Sequence, residues 1–564
     1  MVKNFLRNGS DILSRRQTSI LSAATVIMIM VVASRILGLV RNRILAHFFP
    51  AETLAVYFAA FRLPEVIFEV LVFGALSSAF IPVFTSYISR KQKDQAWYVA
   101  AVSLNFALLI FSFFAVLIFV FAHPLYRVIA PGFPPEQAHQ IASLTRILIF
   151  AQGFFVISFF LTGVLESLQR FLIPAIAPLF YNLGIILGTI FLAPSMGIYA
   201  PTIGAVVGAG LHFLIQLPLA IALGFRPQRE LNLSHPGVRA IGKLALPRVV
   251  ELSFLQIGKG AELFFASLIS TAAYTYFTFA NSLQLLPVGL FGMSIAKASL
   301  PSLSYQSAKG NLGQLRLTFR SLFGQILFLI LPCAVFLAVL RVPVVRLVFG
   351  AAQFTWESTV QTSLALSAFS LGIFSQALIY LLARTFYALH DTATPVKISV
   401  ASIILNILFS AIFVTGFHLP IWSLALSYSL ASVFQFLFLF VFLTRRLPGL
   451  MDRQTATSCL KIFLSSFASG GVMFFLLKIL DRSAWDKKLS FLGQFGLALP
   501  TSFDRFVIDT RYTPNLVFFT LIVGGVGALV YLGLARLLRI KEMNSLASLV
   551  TRIRRKGPIT ITPE

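Results

Sequence analysis

The sequence predicts an all-α integral membrane protein with about fourteen transmembrane helices. Of its 564 residues, 58% are hydrophobic and only 11% are charged, whereas an average soluble domain is about 45–50% apolar and about 25% charged. The apolar residues are grouped into runs of about 20, the length that crosses a bilayer as a helix. An internal repeat is a third indication, since transporters are often built from repeats. Together these observations exclude a soluble multidomain enzyme and a disordered chain.

Fourteen apolar segments are long enough to cross a membrane. In chain order they lie at 19–48, 53–88, 97–122, 138–167, 172–194, 200–224, 244–270, 272–304, 318–340, 356–383, 396–416, 419–444, 457–480 and 513–535. Segments 53–88 and 272–304 are long enough to tilt or to project from the bilayer. The first segment contains Arg35 and Arg41 and lacks a small-residue cleavage site, so we interpret it as a retained span and not as a signal peptide.

The basic residues predict the orientation of these spans. The formal net charge is +26, and 28 of the 45 Lys and Arg residues fall in segments on one side of the predicted membrane, against 8 on the other side. Because cytoplasmic loops carry the excess of Lys and Arg, both termini are predicted to be cytoplasmic. The basic charge therefore has a topological explanation, and with no basic soluble domain we expect no nucleic-acid partner.

An internal repeat appears at an offset of about 220 residues. The segment 57–82 begins with Tyr-Phe and ends with Pro, and so does the segment 276–301. A second echo relates 170–174 to 391–395, each of which ends in Pro. Six spans separate the members of each pair, so the repeat keeps its orientation in the membrane. This predicts two six-helix lobes related by a pseudo-two-fold axis along the membrane normal.

The domain organisation follows from the spans and the repeat. It comprises a cytoplasmic tail (1–18), an N-terminal lobe of spans 1–6 (19–224), a cytoplasmic linker (225–243), a C-terminal lobe of spans 7–12 (244–444), an extra helix pair of spans 13 and 14 (457–535) with an outer loop (481–512), and a basic cytoplasmic tail (536–564). The linker contains Pro227, Pro236 and four basic residues, which predicts an exposed connection with a short surface helix.

Charged residues within the first span indicate a cavity, because ionisable groups at membrane depth are costly and usually face one. Span 1 carries Arg35 and Arg41, with Gly38 between them as a predicted helix break.

Span 2 adds Arg62, Glu65 and Glu69, and Pro64 is expected to kink it. Glu65 and Glu69 are four residues apart and share a helix face. We interpret these residues as the wall of a mostly cationic cavity. The alternative is that the charges neutralise one another or extend to the membrane interface.

Span 7 carries a second set of charges, Glu251, Lys259 and Glu262. Lys259 and Glu262 are three residues apart, so we predict that they form an ion pair within the helix. The pair has two interpretations. It couples transport to the membrane potential or an ion gradient, or it only stabilises the packing of the helices.

No catalytic, metal or nucleotide motif is apparent. The sequence contains no P-loop, no HExxH and no paired Asp motif, and its two cysteines, Cys333 and Cys459, lie far apart in apolar runs. We therefore expect no enzyme activity, no cofactor and no metal. Because no nucleotide-binding motif is apparent, a transporter of this kind is expected to use the membrane potential or an ion gradient as its energy source.

Several runs are similar to motifs of one transporter family. They are 34–41 (SRILGLVR), 61–64 (FRLP), 74–82 (GALSSAFIP), 169–182 (QRFLIPAIAPLFYN), 300–303 (LPSL) and 386–397 (FYALHDTATPVK). On these runs the chain resembles the murein-precursor (lipid II) flippase family, called MurJ or MviN, of the multidrug/oligosaccharidyl-lipid/polysaccharide exporter superfamily. The resemblance covers spans 1, 2, 4–5, 8 and 10–11, and the family's fourteen-helix plan matches the span count.

The chain also departs from the family. Members usually have an acid where this chain has Ala55, often a basic pair at Phe68-Glu69 and an acid at Phe73, and an Asp-Arg pair at 281–282, where this chain has Asn-Ser. Fewer cavity charges remain, so the chain is identified as a divergent member whose substrate could have changed.

The resemblance implies a function in cell-wall biogenesis at the inner (cytoplasmic) membrane. A member moves lipid II, an undecaprenyl-diphosphate-linked precursor of peptidoglycan, from the inner to the outer leaflet by alternating access. Arg35, Arg41, Arg62, Glu65 and Glu69 then line the headgroup cavity, and spans 13 and 14 hold the lipid tail. Other membrane lipids and cell-wall synthesis proteins are the further partners. The alternatives are a flippase for another lipid-linked oligosaccharide, a drug exporter, and a non-transporting scaffold.

The resemblance also bears on energy coupling. Related flippases are thought to hold a cation between spans 7, 11 and 12, and Asn406 and Ser410 of span 11 are four residues apart, so both can face span 7. Ser410 stands where an acid would be the better Na⁺ ligand. We therefore favour the membrane potential or protons over Na⁺, with Glu262 as the acid and Lys259 as its partner.

Overall fold

The computed structural model describes residues 20–73, 79–226, 229–482 and 507–543. For residues 20–28, 72–73, 247–248 and 250–251 it describes the backbone only. Several predicted features therefore lie outside the described residues: both tails in large part, most of the outer loop, and part of the run 74–82. Within the described residues the chain is helical, apart from turns and an isolated β-bridge between Asp481 and Ile508.

The first half of the chain forms helices α1 to α9. They are α1 (Ile20–Phe48), α2 (Ala51–Phe68), α3 (Ile81–Ser89), α4 (Lys93–Ile129), α5 (Pro135–Ser167), α6 (Leu172–Met196), α7 (Tyr199–Leu214), α8 (Leu217–Ala222) and α9 (Pro236–Ile269). A π-helical turn, Glu69–Phe73, follows α2 directly.

The second half forms helices α10 to α19. They are α10 (Ala273–Pro287), α11 (Ser294–Ala308), α12 (Leu312–Val339), α13 (Arg341–Phe349), α14 (Trp356–Ser370), α15 (Ile373–Ala388), α16 (Ala393–Ala411), α17 (Trp422–Arg446), α18 (Arg453–Leu480) and α19 (Thr513–Leu537). π-helical turns at Val288–Met293 and Ile412–Gly416 follow α10 and α16.

The helices confirm the prediction of a multi-pass membrane protein. Among the described residues, eleven helical segments are long and apolar enough to cross a membrane, and the bent pair α14–α15 makes a twelfth. They correspond to predicted spans 3 to 14; predicted span 1 falls on α1, and predicted span 2 falls on α2 and α3, between which residues 74–78 lie outside the described part. Boundaries agree closely, as in the fifth span, predicted at 172–194 and observed at Leu172–Met196.

The chain divides into two compact units. The first comprises the residues up to Phe279 together with Val348–Thr359 and Ile407–Leu424, and the second comprises Ala280–Leu347, Val360–Asn406 and the residues from Ala425 onward. Helix α9, which is predicted span 7, belongs to the first unit. The lobe boundaries predicted from the sequence stay a prediction.

The internal repeat extends through the backbone. The π-helical turns Glu69–Phe73 and Val288–Met293 begin 219 residues apart. Residues with positive φ recur in the same way: Lys91 with Gly310, Gln169 with His390, Gly197 with His418 and Gly224 with Gly449, at offsets of 219 to 225 residues. A left-handed residue is rare outside glycine and marks a specific turn. The two halves therefore share their turns as well as their helices.

The linker differs from its prediction. Helix α9 begins at Pro236, where the His235 ring accepts a hydrogen bond from the Gly237 amide (Nδ1 to N, 3.1 Å), and runs unbroken into span 7. Instead of a separate surface helix, the second half of the linker is thus the first part of a transmembrane helix. The preceding segment is held on α4, because Asn105 Nδ2 donates to the Glu230 carbonyl (3.0 Å).

Helices α6 and α7 pack with their backbones in direct contact. A Cβ atom placed on Gly184 would lie 2.4 Å from the Cα of Gly208, and one on Gly204 would lie 2.5 Å from the Gly184 carbonyl oxygen. Small residues four apart permit such close approach in membranes, where packing and not hydrophobicity drives association. Glycine is therefore required at these positions by the neighbouring backbone.

This packing predicts a position-specific cost. We expect Gly208→Ala to lower the unfolding free energy of the purified protein by about 1–3 kcal/mol, because the methyl group overpacks the helix pair. Gly210→Ala is the matched control, since a Cβ there meets only the Phe154 ring at 3.9 Å. Thermal unfolding in detergent measures both variants, and equal melting temperatures would contradict the assignment.

Candidate functional site

Arg41 is fixed by amide side chains. Its Nη1 donates to Asn182 Oδ1 on α6 (3.1 Å), and its Nε and Nη2 donate to Asn42 Oδ1 (3.1 and 2.9 Å). Asn182 in turn donates to the Pro178 carbonyl (3.2 Å). Two of the family-like runs, 34–41 and 169–182, therefore meet at this arginine. The hydrogen-bond partners of Arg41 among the described residues are neutral amides, and Glu65 interacts with it through its charge alone, so Arg41 can contribute a cationic group to a ligand.

The predicted helix break at Gly38 is wrong. Helix α1 runs from Ile20 to Phe48 without interruption. A Cβ at Gly38 would lie 3.9 Å from Asn182 Oδ1, so the glycine faces the same amide that holds Arg41. The residue at this position is small because it lies against α6, and not because the helix breaks there. Arg35 lies one turn before it on α1 with a half-buried side chain.

Pro64 does not interrupt α2 either, which continues to Phe68. Proline has no N–H, so the carbonyl of Ala60, four residues earlier, loses its helical partner. Tyr126 OH (3.2 Å) and Thr145 Oγ1 (3.0 Å) both donate to this carbonyl. The departure from the α-helix comes later, at the π-helical turn that begins with Glu69.

Arg62 is the most buried cation of the predicted site, with 5% of its surface exposed. Its Nη2 donates to Gln256 Oε1 on α9, and its Nη1 lies 3.8 Å from Glu65 Oε2. Its Nε is buried and has no hydrogen-bond partner within the part of the chain that the structure describes. Both Nη atoms of the guanidinium thus have partners, and its Nε–H is left for another group.

Gln256 joins the arginine to an acid. It is 4% exposed, and while its oxygen accepts from Arg62 its Nε2 donates to Glu69 Oε2. Lys259, one turn further on α9, donates from Nζ to Glu69 Oε1 and Oε2 (2.9 and 2.7 Å). Arg62, Gln256, Glu69 and Lys259 form a continuous network between α2, its π-helical turn and α9, which we call the α2–α9 network.

The predicted ion pair between Lys259 and Glu262 is therefore wrong, because Lys259 pairs with Glu69 instead. Glu262 is half-buried, and no ion pair or hydrogen bond to its carboxylate is found among the described residues. The third predicted residue of this set, Glu251, has its side chain outside the described part. The roles assigned to all three residues in coupling stay predictions.

Asn406 and Ser410 lie one turn apart on α16, and both side chains are buried. Asn406 Oδ1 is without a hydrogen-bond partner within the described ranges. The π-helical turn Ile412–Gly416, just beyond them, lies against α9. Their predicted role facing span 7 stays a prediction.

The run 386–397 forms a turn anchored by one acid. Asp391 Oδ1 accepts from the Thr394 amide (3.0 Å), and Oδ2 lies 2.9 Å from Arg446 Nη2. Burial raises the pKa of this carboxyl, but the hydrogen bonds from Thr394 and the charge of Arg446 outweigh it, and the pKa lies below its usual range. The family-like motif here has a structural role at the start of α16.

Two polar residues of this region were not predicted from the sequence, Gln256 and Asn182. Neither is ionisable, and the search for buried charges passes over amides. The signal that marks Gln256 is its position three residues before Lys259 in an otherwise apolar stretch. No cluster of three or more metal-ligating side chains is found in the described part of the chain.

The fold is that of a known class of exporter. A solved structure of a multidrug resistance MATE family transporter of the MOP superfamily, in an inward-facing conformation, matches with a TM-score of 0.64 and 15% identity, over 74% of this chain and 95% of that chain. A structure of lipid II flippase MurJ in an inward closed conformation matches with a TM-score of 0.72 and 24% identity, over 91% and 98% of the two chains. The protein therefore has the fold of the MOP transporters.

Sequence comparison identifies the family within that class. The model of the family described as lipid II flippase MurJ matches residues 44–496. A probable lipid II flippase MurJ from Vibrio cholerae is 30% identical over 409 residues, 70% of this chain and 77% of that protein. One from Haemophilus influenzae is 27% identical over 487 residues, 83% and 94% of the two chains. The chain belongs to the MurJ family.

The α2–α9 network predicts which acid is coupled to Lys259. In double-mutant cycles with Lys259→Gln and Glu69→Gln, we expect a coupling energy of about 0.5–3 kcal/mol, because either single change leaves an unpaired charge. The matched cycle with Glu262→Gln should give a smaller coupling, because Glu262 interacts with Lys259 through its charge without a direct contact. Unfolding free energies in mixed micelles measure both cycles. A larger coupling with Glu262 would contradict the network.

Proposed function

We propose that this protein moves lipid II from the inner to the outer leaflet of the cytoplasmic membrane by alternating access. Membership of the MurJ family and the names of its relatives support the substrate. The structural observation that carries the proposal is Arg41, a cation on a transmembrane helix whose hydrogen-bond partners within the described residues are neutral amides. A group so arranged is suited to an anionic ligand.

The chemistry of the substrate fits these cations. Lipid II presents a dianionic diphosphate between its sugars and its polyprenyl tail. Arg35 and Arg41 would contact the diphosphate through charge-assisted hydrogen bonds, which are about twice as strong as neutral ones. Arg62, Glu65 and Glu69 would form a second part of the headgroup site, where the free Nε of Arg62 is a donor for a sugar or peptide oxygen.

At positions where this chain differs from the family, apolar residues replace charged ones. These replacements fit a cavity that has fewer charges but has not collapsed. Ala55 is completely buried, and the Phe68 ring packs against Phe155 and Phe159, with centroids 5.8 and 5.2 Å apart. Apolar packing thus replaces two of the family's charged positions. The remaining cations would suffice for a diphosphate, which is the part that lipid-linked precursors share.

The polyprenyl tail would lie along the extra helix pair. Helices α18 and α19 are joined by a hydrogen bond from Ser469 Oγ to the Gly527 carbonyl (2.6 Å), and Tyr531 OH on α19 donates to the Phe328 carbonyl of α12 (2.7 Å). Their outer faces carry exposed phenylalanines such as Phe467 and Phe518. An apolar surface of this kind suits a long hydrocarbon chain.

The remaining functional assignments rest on charge distribution and on the family. Both termini would be cytoplasmic, as the excess of basic residues on one side requires. The protein would act as a transporter without catalytic chemistry, next to enzymes that make and use lipid II. The membrane potential or an ion gradient would supply the energy.

The proposal predicts that the two arginines of α1 are required for transport. Arg35→Ala and Arg41→Ala should each abolish growth of cells that depend on this protein, with its level in the membrane unchanged, because the diphosphate loses a cationic partner. Arg346→Ala, which removes an exposed hydrogen bond to the Arg511 carbonyl, is the control and should support growth. Full growth of the Arg35→Ala, Arg41→Ala double variant would refute the cavity.

Glu262 is the proposed coupling acid. Lys259 pairs with Glu69, and among the described residues Glu262 has no ion pair, so its carboxylate would be able to change its charge between conformations. One charge moved through the membrane potential is worth about 2.3 kcal/mol per 100 mV, enough to shift a conformational equilibrium more than tenfold.

This role predicts a specific loss in vesicles that carry an imposed potential or pH gradient. Glu262→Gln should still bind lipid II but should no longer respond to the gradient. Glu136→Gln, which changes an exposed acid at the start of α5, should behave like the parent. If transport by Glu262→Gln follows both gradients as in the parent protein, the acid is structural.

A further inference from the structure

An apolar cavity of about 450 Å³ lies within the first unit, beside the π-helical turn. Its walls come from the turn (Leu71), α4 (Phe106), α5 (Phe160) and the first part of α9 (Val238, Ala245). The volume falls in the range of about 300–1,000 Å³ typical of small-molecule sites. The lining is almost entirely hydrocarbon, so the cavity suits an apolar ligand.

The cavity opens where the linker meets α9. Leu233 and Leu246 line it with 49% and 65% of their surfaces exposed. Exposed leucines in a linker and in the helix that leads from it into the predicted membrane are typical of an interfacial segment. On the predicted topology, the opening would lie at the level where lipid headgroups meet acyl chains.

Basic side chains lie on and near the wall of this cavity. Arg239 lines the cavity, and Lys243 follows one helical turn later on α9. Arg90 lines a smaller neighbouring cavity of about 290 Å³ together with Pro236 and Gly237. None of these three cations has an ion pair within the described part of the chain. An apolar cavity with an unpaired basic rim matches an amphiphile with an anionic head.

We propose that this cavity binds one acyl chain of an anionic glycerophospholipid, whose phosphate lies at Arg239 and Lys243. The predicted cytoplasmic orientation of the linker supports this occupant, because the cytoplasmic leaflet carries anionic lipid. The transported lipid is a different molecule, and this site does not depend on its identity. The chain end would contact Leu71, two residues from Glu69, and so would bear on the turn that begins the α2–α9 network.

Photo-crosslinking in lipid nanodiscs tests the proposal on the full chain. The probes are phosphatidylglycerol and phosphatidylcholine with the same diazirine-bearing acyl chain, and mass spectrometry locates the adducts. We expect phosphatidylglycerol to label peptides of 103–110 and 238–246 about fivefold or more above phosphatidylcholine, the preference that about one basic side chain at the membrane surface confers. Arg239→Gln with Lys243→Gln should abolish the preference but keep labelling by both probes.

Filling the cavity provides the second test. Ala107→Trp should reduce labelling of these peptides by both probes, whereas Val116→Trp, on an exposed face of the same helix, should not. Equal labelling of the parent by both probes would overturn the proposal even if the tryptophan variant fails to fold. Unchanged labelling in a folded Ala107→Trp protein would also overturn it. So would displacement of phosphatidylglycerol by undecaprenyl phosphate at an equal or lower concentration, since the site would then bind a prenyl chain.

Discussion

The structure of the first unit depends on how a cation is held inside a membrane. A buried charge without partners is costly, and a transmembrane arginine is tolerated where polar groups or a cavity receive it. Arg62 meets this requirement through Gln256, a neutral residue that also contacts Glu69. The glutamine lets two charges of opposite sign share one network without direct contact, and it ties α9 to α2.

Packing and hydrogen bonds also hold helix α2 and the side chain of Arg41. The carbonyl freed by Pro64 is satisfied by Tyr126 and Thr145, and α2 continues without interruption up to the π-helical turn. The glycine contacts of α6 and α7 position Asn182, which holds Arg41. The carbonyl freed by Pro64 and the side chain of Arg41 thus have partners, while Arg62 Nε, which has none within the described residues, is one of the groups proposed to act on substrate.

The sequence predicted the transmembrane helices better than it predicted the contacts between side chains. Hydrophobicity and length define a membrane helix, so boundaries such as those of α6 and α18 follow within a few residues. The internal repeat was visible in the sequence because corresponding turns of the two halves require the same kinds of residue. Ion-pair partners were harder to predict. The spacing of residues within one helix assigned Lys259 to Glu262, but its partner is Glu69, which lies 190 residues earlier on another element. Helix spacing carries no information about such contacts, and amides such as Gln256 resemble ordinary polar residues until their surroundings are known.

The most direct measurement of the central claim is the sidedness of lipid II in cells depleted of this protein. A reagent that modifies lipid II and cannot cross the membrane reports the fraction in the outer leaflet. We expect that fraction to fall on depletion and to recover with the parent protein but not with Arg41→Ala, while total lipid II rises. Normal sidedness together with arrested cell-wall synthesis would contradict transport and would indicate a scaffold.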